Sequence, residues 1–343
     1  MRIVVLVLTT LVALTASVPV ASASTVGRDQ FGFLLFRGEG AEENRLTMTE
    51  TDADYVFEDA PSITLTPGDG CRDDGDAATT NVVLCAKNNR GVTVVELGDG
   101  DDEIVEVDVD FEGYLYRGGE GDDVLRASSG FRSSVTMHGE GGTDTYFPGR
   151  PQQNFEVVSY MHRSDDLVLT MNDAADDPEG ESVPSTMTGV VGGFGDDLLV
   201  GSGKGDYLAG GNGNDRAQGM GGSDNVNGSN GDDLLEGGDG NDVFPGEVGA
   251  DRVVGGEGFD RFEVRNSGYD MGVGRDVTVT LDDVANDGGS GERDDVRSDV
   301  EDVTAVPAGN SGRATLVGDA SVNVLRGSRE GDTLDGGAGS DLL

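Results

Sequence analysis

Basic side chains are scarce in this chain. Lysine and arginine number 23 against 66 aspartates and glutamates, leaving a formal net charge of −43. Such a balance repels phosphate backbones and anionic lipid, so nucleic acid and charge-driven membrane binding are excluded as partners. Histidine is nearly missing: His138 and His162 stand in no His-Glu-x-x-His pattern, and no Gly-x-Ser-x-Gly elbow occurs. Gly203-Lys204 fails as a phosphate loop, because Gly205 follows where Ser or Thr is required and Leu198 occupies the upstream glycine position. No catalytic residue is assigned, and the chain reads as a non-enzyme. Beyond the N-terminus no apolar run approaches the roughly 18 residues that a spanning helix needs, so no membrane insertion is expected.

Residues 1–23 read as a secretory signal peptide: Arg2, an apolar run from Ile3 to Leu14 interrupted only by Thr9 and Thr10, and Ala21-Ser22-Ala23 before Ser24. The mature chain is then secreted, into an extracellular medium where calcium is the abundant counterion. Export also determines the reading of Cys71 and Cys85, the only cysteines: a disulfide, in a small β domain or solenoid cap over 24–97.

What the chain has in abundance is glycine and aspartate, held in register. From Gly192 to Glu263 the pattern Gly-x-x-Gly-x-Asp-x-apolar-x runs eight times without a gap, with one lapse at the fourth position, Lys204. The first position is Gly192, Gly201, Gly210, Gly219, Gly228, Gly237, Gly246 and Gly255. The sixth is Asp197, Asp206, Asp215, Asp224, Asp233, Asp242, Asp251 and Asp260. The eighth is Leu199, Leu208, Ala217, Val226, Leu235, Phe244, Val253 and Phe262. A disordered Gly/Asp-rich linker has no reason to keep three residue types in phase, whereas a solenoid requires it.

Glycine lets six residues turn tightly, and the next three form a strand whose eighth residue points inward. Two units complete one coil, so residues eighteen apart stack. Asp197, Asp215, Asp233 and Asp251 then share one column of turns, and Asp206, Asp224, Asp242 and Asp260 the other. Stacked carboxylates repel unless a cation lies between them. Residues 192–263 carry fifteen acids against Lys204, Arg216, Arg252 and Arg261, a net of −11, and about six divalent ions in the gaps would neutralise it. Calcium accepts six to eight carboxylate and carbonyl oxygens in forgiving geometry; magnesium demands a tighter octahedron and retains water. The expected metal site comprises the eight aspartates with Gly192, Gly210, Gly213, Gly219, Gly222, Gly228, Gly231, Gly237 and Gly240.

These units resemble the RTX, or haemolysin-type, calcium-binding nonapeptide, which Gly237-Gly238-Asp239-Gly240-Asn241-Asp242-Val243-Phe244 matches in full. The resemblance implies a parallel β-roll in which the sixth-position Asp and the turn carbonyls hold Ca2+ between neighbouring coils. Departures are Lys204 at a fourth position and Ser202, Met220, Ser229 and Glu247 at second positions. Many RTX relatives leave through an exporter that reads a C-terminal signal, so an N-terminal signal is a departure too.

Repeat-like turns recur at Asp102, Asp123 and Asp144, 21 residues apart, which predicts a longer coil and an irregular β-solenoid over 98–191. Alternation along 104–112 puts Val105, Val107, Val109 and Phe111 on the buried face of one strand. Asp108, Asp110 and Glu112 mimic the start of an EF-hand, but Gly119 stands where its terminal Glu belongs. Two stretches resemble each other, Leu167 to Asp177 and Val277 to Asp287; each reads as a strand followed by a solvated acidic loop, the second within an enlarged coil or insert, 264–317. A second RTX-type segment, 318–343, contains a degenerate unit with Asn323 in the Asp position, then units with Asp332 and Asp341. The end at Leu343 falls inside a unit. It implies either a truncated gene model or an uncapped sheet edge covered by a cell surface or a second copy.

The expected fold is therefore all-β: a parallel β-roll, or β-solenoid, of calcium-binding nonapeptide repeats preceded by a small β domain or irregular solenoid cap. Two functions are compatible with it. One is a calcium-dependent extracellular structural or adhesive protein; the other is a non-catalytic fragment of a longer exported enzyme or toxin.

Overall fold

In the computed structural model the described residues are 23–29, 33–38, 43–51, 53–75, 81–87, 92–107, 113–127, 134–149, 155–172, 183–246, 248–265, 276–289, 292–306, 312–328 and 331–343. Residues 1–22 of the expected signal peptide lie outside them, as do the EF-hand mimic 108–112 and the acids of 173–177. All regular structure among them is strand, mostly in parallel sheets. No helix among them is long and apolar enough to cross a membrane. The chain divides into two compact units, Met1–Ser159 with Glu179–Met187, and Tyr160–Pro178 with Thr188–Leu343.

In the first unit, strands Glu156–Ser159, Ser134–Gly141, Gly113–Glu120, Val92–Asp99 and Leu34–Arg37 lie side by side and parallel. Leu115 stands opposite Val94 on one side and Thr136 on the other, which is a 21-residue coil. The facing sheet runs Thr145–Phe147, Val124–Arg126, Glu103–Val107 and Arg45–Glu50, again parallel. It then turns antiparallel through Asp54–Glu58, Val82–Ala86 and Cys71–Asp73. Cys71 and Cys85 are direct cross-strand partners and form the disulfide.

Strict alternation fails at Val105, while Val109 and Phe111 lie outside the described residues. Ile104 is fully buried while Val105 is 37% exposed. The cause is a bulge: Leu46 pairs with Ile104 and Thr47 with Glu106, so Val105 is skipped and Val107 falls opposite Met48. An extra residue in one strand reverses the side-chain parity beyond it.

In the second unit, one sheet is built from Gly189–Val191, Tyr207–Asn212, Asn225–Asn230, Val243–Pro245, Arg261–Arg265, Asp302–Val306 and Val324–Arg326. The other contains Val168–Thr170, Leu198–Val200, Arg216–Gly221, Leu234–Gly240, Arg252–Gly258 and Asp295–Val296. Pairings such as Leu208 with Val226 and Leu199 with Ala217 give the 18-residue coil. All eight eighth-position side chains are at most 1% exposed. Full burial of each of the larger ones stabilises the roll by about 1.5–3 kcal/mol.

A third sheet begins in the insert. Val277–Thr280 pairs antiparallel with Gly288–Gly289 and parallel with Ala314–Val317, which in turn pairs with Thr333–Asp335. Leu167, Leu169 and Met171 are buried, and so are Val277, Val279 and Leu281, matching their resemblance in sequence. Asp287, expected in a solvated loop, is instead buried. Its two carboxylate oxygens accept the N–H groups of Thr280 at 2.6 Å and Val296 at 3.0 Å, which partly offset its removal from water; burial still pushes it up to about 7.

Candidate metal centre

Each repeat turn ends in an aspartate whose position is set by the coil before it. The N–H of Asp197 donates to Oδ1 of Asp215 at 2.8 Å, that of Asp215 to Asp233 at 2.7 Å, and that of Asp233 to Asp251 at 3.0 Å. In the opposite column Asp206 donates to Asp224 at 2.7 Å, Asp224 to Asp242 at 2.8 Å, and Asp242 to Asp260 at 2.9 Å. Fifth-position side chains make the reverse connection: Oδ1 of Asp196 accepts from Asn214 at 2.7 Å, and Oδ1 of Asn214 from Asp232 at 2.9 Å. The structure thus brings the eight predicted aspartates into two columns, all of them at most 5% exposed.

In most of these carboxylates one oxygen serves this ladder and the other is the informative one; exceptions are Asp206, whose Oδ2 is held by Ser202, and Asp197, whose Oδ2 accepts from Gly193. Oδ2 of Asp215, Asp224, Asp233, Asp242 and Asp260 is buried with no hydrogen-bond partner. Leaving even a neutral buried acceptor unpaired costs about 1–3 kcal/mol, and a charged one more. Burial pushes Asp215, Asp224 and Asp233 up to about 7 and Asp260 up to about 6, with neighbouring carboxylates adding to the shift. Asp197, Asp206 and Asp242 are raised for the same first reason. A cation between the coils would offset this cost.

The glycines divide into two roles. A Cβ at Gly192, Gly210, Gly219, Gly228 or Gly237 would overlap Oδ2 of the aspartate in its own turn, so the first position makes room for the carboxylate. Fourth-position Gly231 has φ +137°, and a Cβ there would overlap the carbonyl oxygen of Gly213 one coil earlier; Gly213, Gly222 and Gly240 are placed likewise. Main-chain carbonyls are therefore directed from each turn into the gap before the next. Among the described residues, no three His, Cys, Asp or Glu side chains are grouped to hold an ion by themselves. An ion here would combine aspartate with carbonyl oxygen, a hard set suited to calcium.

Departures from the repeat leave visible marks. Met220 and Ser229, in second positions, take φ +72° and +75°, a left-handed backbone that costs L-residues about 1–2 kcal/mol. In the Lys204 turn, Ser202 donates to Oδ2 of Asp206 from both its N–H, at 2.6 Å, and its hydroxyl, at 2.8 Å.

Upstream, Asp102 donates to Oδ1 of Asp123 and Asp123 to Oδ1 of Asp144, both at 2.9 Å, and all three are buried. Oδ2 of Asp102 and of Asp123 is again buried without a partner, and burial pushes these groups to about 7 and about 8. Downstream, Asp332 accepts from Ala314 at 2.8 Å and Asp341 from Asn323 at 3.0 Å, both aspartates only half-buried.

Some members of the columns escaped the sequence reading. Asn44 precedes Asp102, donating from its N–H at 2.5 Å and its side-chain amide at 3.1 Å. Asp294 follows Asp251, and Glu301 follows Asp260, accepting their N–H groups at 3.0 and 2.9 Å. Asp294 had a signal: Gly288-Gly289-Ser290-Gly291-Glu292-Arg293-Asp294-Asp295-Val296 is a repeat with one residue too many before its Asp.

Comparison with known proteins agrees with this geometry. The family described as RTX calcium-binding nonapeptide repeat (4 copies) matches residues 116–131, 191–226, 218–253, 227–262 and 308–343. No curated protein matches the chain. Over the matched stretches this chain carries RTX calcium-binding nonapeptide repeats.

Proposed function

We propose that the aspartate columns take up several Ca2+ ions, about six between residues 192 and 263, and that the roll folds on binding them. The observation that carries this reading is the row of buried Oδ2 atoms without partners at Asp215, Asp224, Asp233, Asp242 and Asp260. Asp197, Asp206 and Asp251 complete the columns. Asp102 and Asp123, with Asp144, hold ions in the 21-residue coils; Asp332 and Asp341 are lesser ligands. Bound calcium supplies the positive charge between turns; the chain supplies the spacing, through the N–H to Oδ1 ladder, and the carbonyls of the turn glycines.

The protein acts outside the cell as a calcium-dependent structural or adhesive element. Supporting this are the signal-like segment at 1–23, the Cys71–Cys85 disulfide, and a chain whose net charge of −43 calls for an abundant external cation. Titration of residues 24–343 with calcium, followed by circular dichroism, tests the reading. Strand signal should rise with a midpoint of roughly 10⁻⁴ to 10⁻³ M and collapse on adding chelator. Equal potency of magnesium, or a full strand signal in chelator that calcium leaves unchanged, would overturn it.

A further inference from the structure

The geometry points to a further cation site, between the turn Gly255–Asp260 and the turn Ser298–Glu301, the second of which lies outside every stretch that matches the repeat family. It rests on the reading of the aspartate columns as calcium sites and extends one of them through a turn that contains no glycine.

In the column of Asp206, Asp224 and Asp242 the gap after an aspartate has a recurring composition. The first glycine of the turn is flanked by Oδ2 of its own aspartate and by the carbonyl oxygen of the first glycine one coil later. Gly219 lies between Asp224 Oδ2 and the Gly237 carbonyl, and Gly237 between Asp242 Oδ2 and the Gly255 carbonyl. At Gly255 the arrangement persists although the sequence does not: the flanking atoms are Asp260 Oδ2 and the carbonyl oxygen of Asp299. Asp260 is wholly buried, and that Oδ2 has no hydrogen-bond partner.

The substitute turn reproduces the rest of the site by other means. Ser298–Glu301 has four residues where Gly255–Asp260 has six, and the longer side chain of Glu301 reaches where a regular aspartate would. Its Oε2 accepts the N–H of Asp260 at 2.9 Å, while the N–H of Asp302 donates to the Asp260 carbonyl at 2.9 Å, as the residue after each repeat aspartate does. The Asp299 carboxylate accepts from Gly255 at 3.1 Å and Gly256 at 3.3 Å. Asp299 and Glu301 thus place negative charge in the turn that follows Asp260, although the three side chains do not group to hold an ion by themselves. The nearby arginines Arg261 and Arg326 are directed at Asp302 instead. Asp260 Oδ2 and the Asp299 carbonyl are the donors to the ion, and Glu301 orients Asp260 and adds charge. The next residue in the column, Asn323, is neutral and has a buried amide nitrogen without a partner, so the run of acids is interrupted there before Asp341.

Calcium bound per chain, counted by native mass spectrometry on residues 24–343, tests this. Glu301→Gln retains an acceptor for Asp260 but loses the charge, and should bind one ion fewer than the parent. Glu263→Gln, an acid of the same coil outside the turn, should bind the parent number. An unchanged count for Glu301→Gln at an unchanged midpoint overturns the site while leaving the columns intact; no uptake by the parent overturns both. Hydrogen exchange on the parent gives a check that needs no variant. Calcium should protect the amides of 255–260 and 299–302 together, and protection that stops at the Asp242 turn refutes the extension.

Discussion

The main-chain N–H of Asp215 donates to Oδ1 of Asp233, eighteen residues later, at 2.7 Å. Backbone of one coil thereby aims the carboxylate of the next, leaving the second oxygen of Asp233 buried and facing the gap. Removing that side chain removes a ladder acceptor and a cation ligand together. Asp233→Ala should therefore raise the calcium midpoint about tenfold or more, and should cost about 1–3 kcal/mol from the stranded N–H alone. Asp332→Ala removes a carboxylate that is only half-buried, and should cost less than Asp233→Ala. Chemical denaturation of both variants in saturating calcium measures the difference, and equal losses would contradict the ranking.

Protons should compete with calcium for the same oxygens. Asp123 titrates at about 8, Asp215, Asp224 and Asp233 at about 7, and Asp260 at about 6, because burial disfavours their charged forms. Solvated aspartate titrates near about 3.9. Between those values the folded, calcium-free chain holds more protons than the unfolded chain. The contribution is fully present below the unfolded value and is lost as pH rises through 6 to 8. Thermal melts in chelator should show a higher Tm at pH 5 than at pH 8, with the order reversed in excess calcium. A Tm that climbs with pH in chelator would contradict this.

Backbone strain gives a third test. Gly231→Ala forces a side chain onto a φ of +137° and into the Gly213 carbonyl, whereas a Cβ at Gly203 meets nothing. The first substitution should destabilise the roll by about 1–3 kcal/mol or more and the second should be near neutral. Urea midpoints of the pair report it.

Met220 offers the opposite sign. It holds φ +72° with its side chain 57% exposed, so it contributes strain and little packing. Met220→Gly should stabilise the calcium-loaded roll by about 0.5–1 kcal/mol after the extra entropy of an unfolded glycine is subtracted. A lower melting temperature would show that the Met220 side chain makes a contact worth more than its strain.

Much of the roll was legible because its signal is periodic. Phe244 and Ala217 differ greatly in size, yet each falls in an eighth position and each is buried. The spacing of Asp102, Asp123 and Asp144 likewise announced the 21-residue coil. Periodicity becomes misleading where one residue is added. The bulge took Val105 out of the alternation, and the additional residue in Gly288–Val296 hid Asp294 from a nine-residue template. Glu301 had no pattern to follow, since its turn keeps the donors of a repeat and none of its glycines. Asn44 belongs to the same class, a neutral end to the ladder above Asp102 that only the pairing of strands discloses.

Leu199 and Leu208 belong to successive units yet sit in opposite sheets, and only Ala217 returns to the sheet of Leu199. Parity follows from this. Excising eighteen residues would join like strand to like and leave every downstream partner in place, whereas excising nine would rotate the remainder by half a circuit and exchange the two files of aspartates. An array of this kind can lengthen or shorten by duplication, but its working increment is a pair of units.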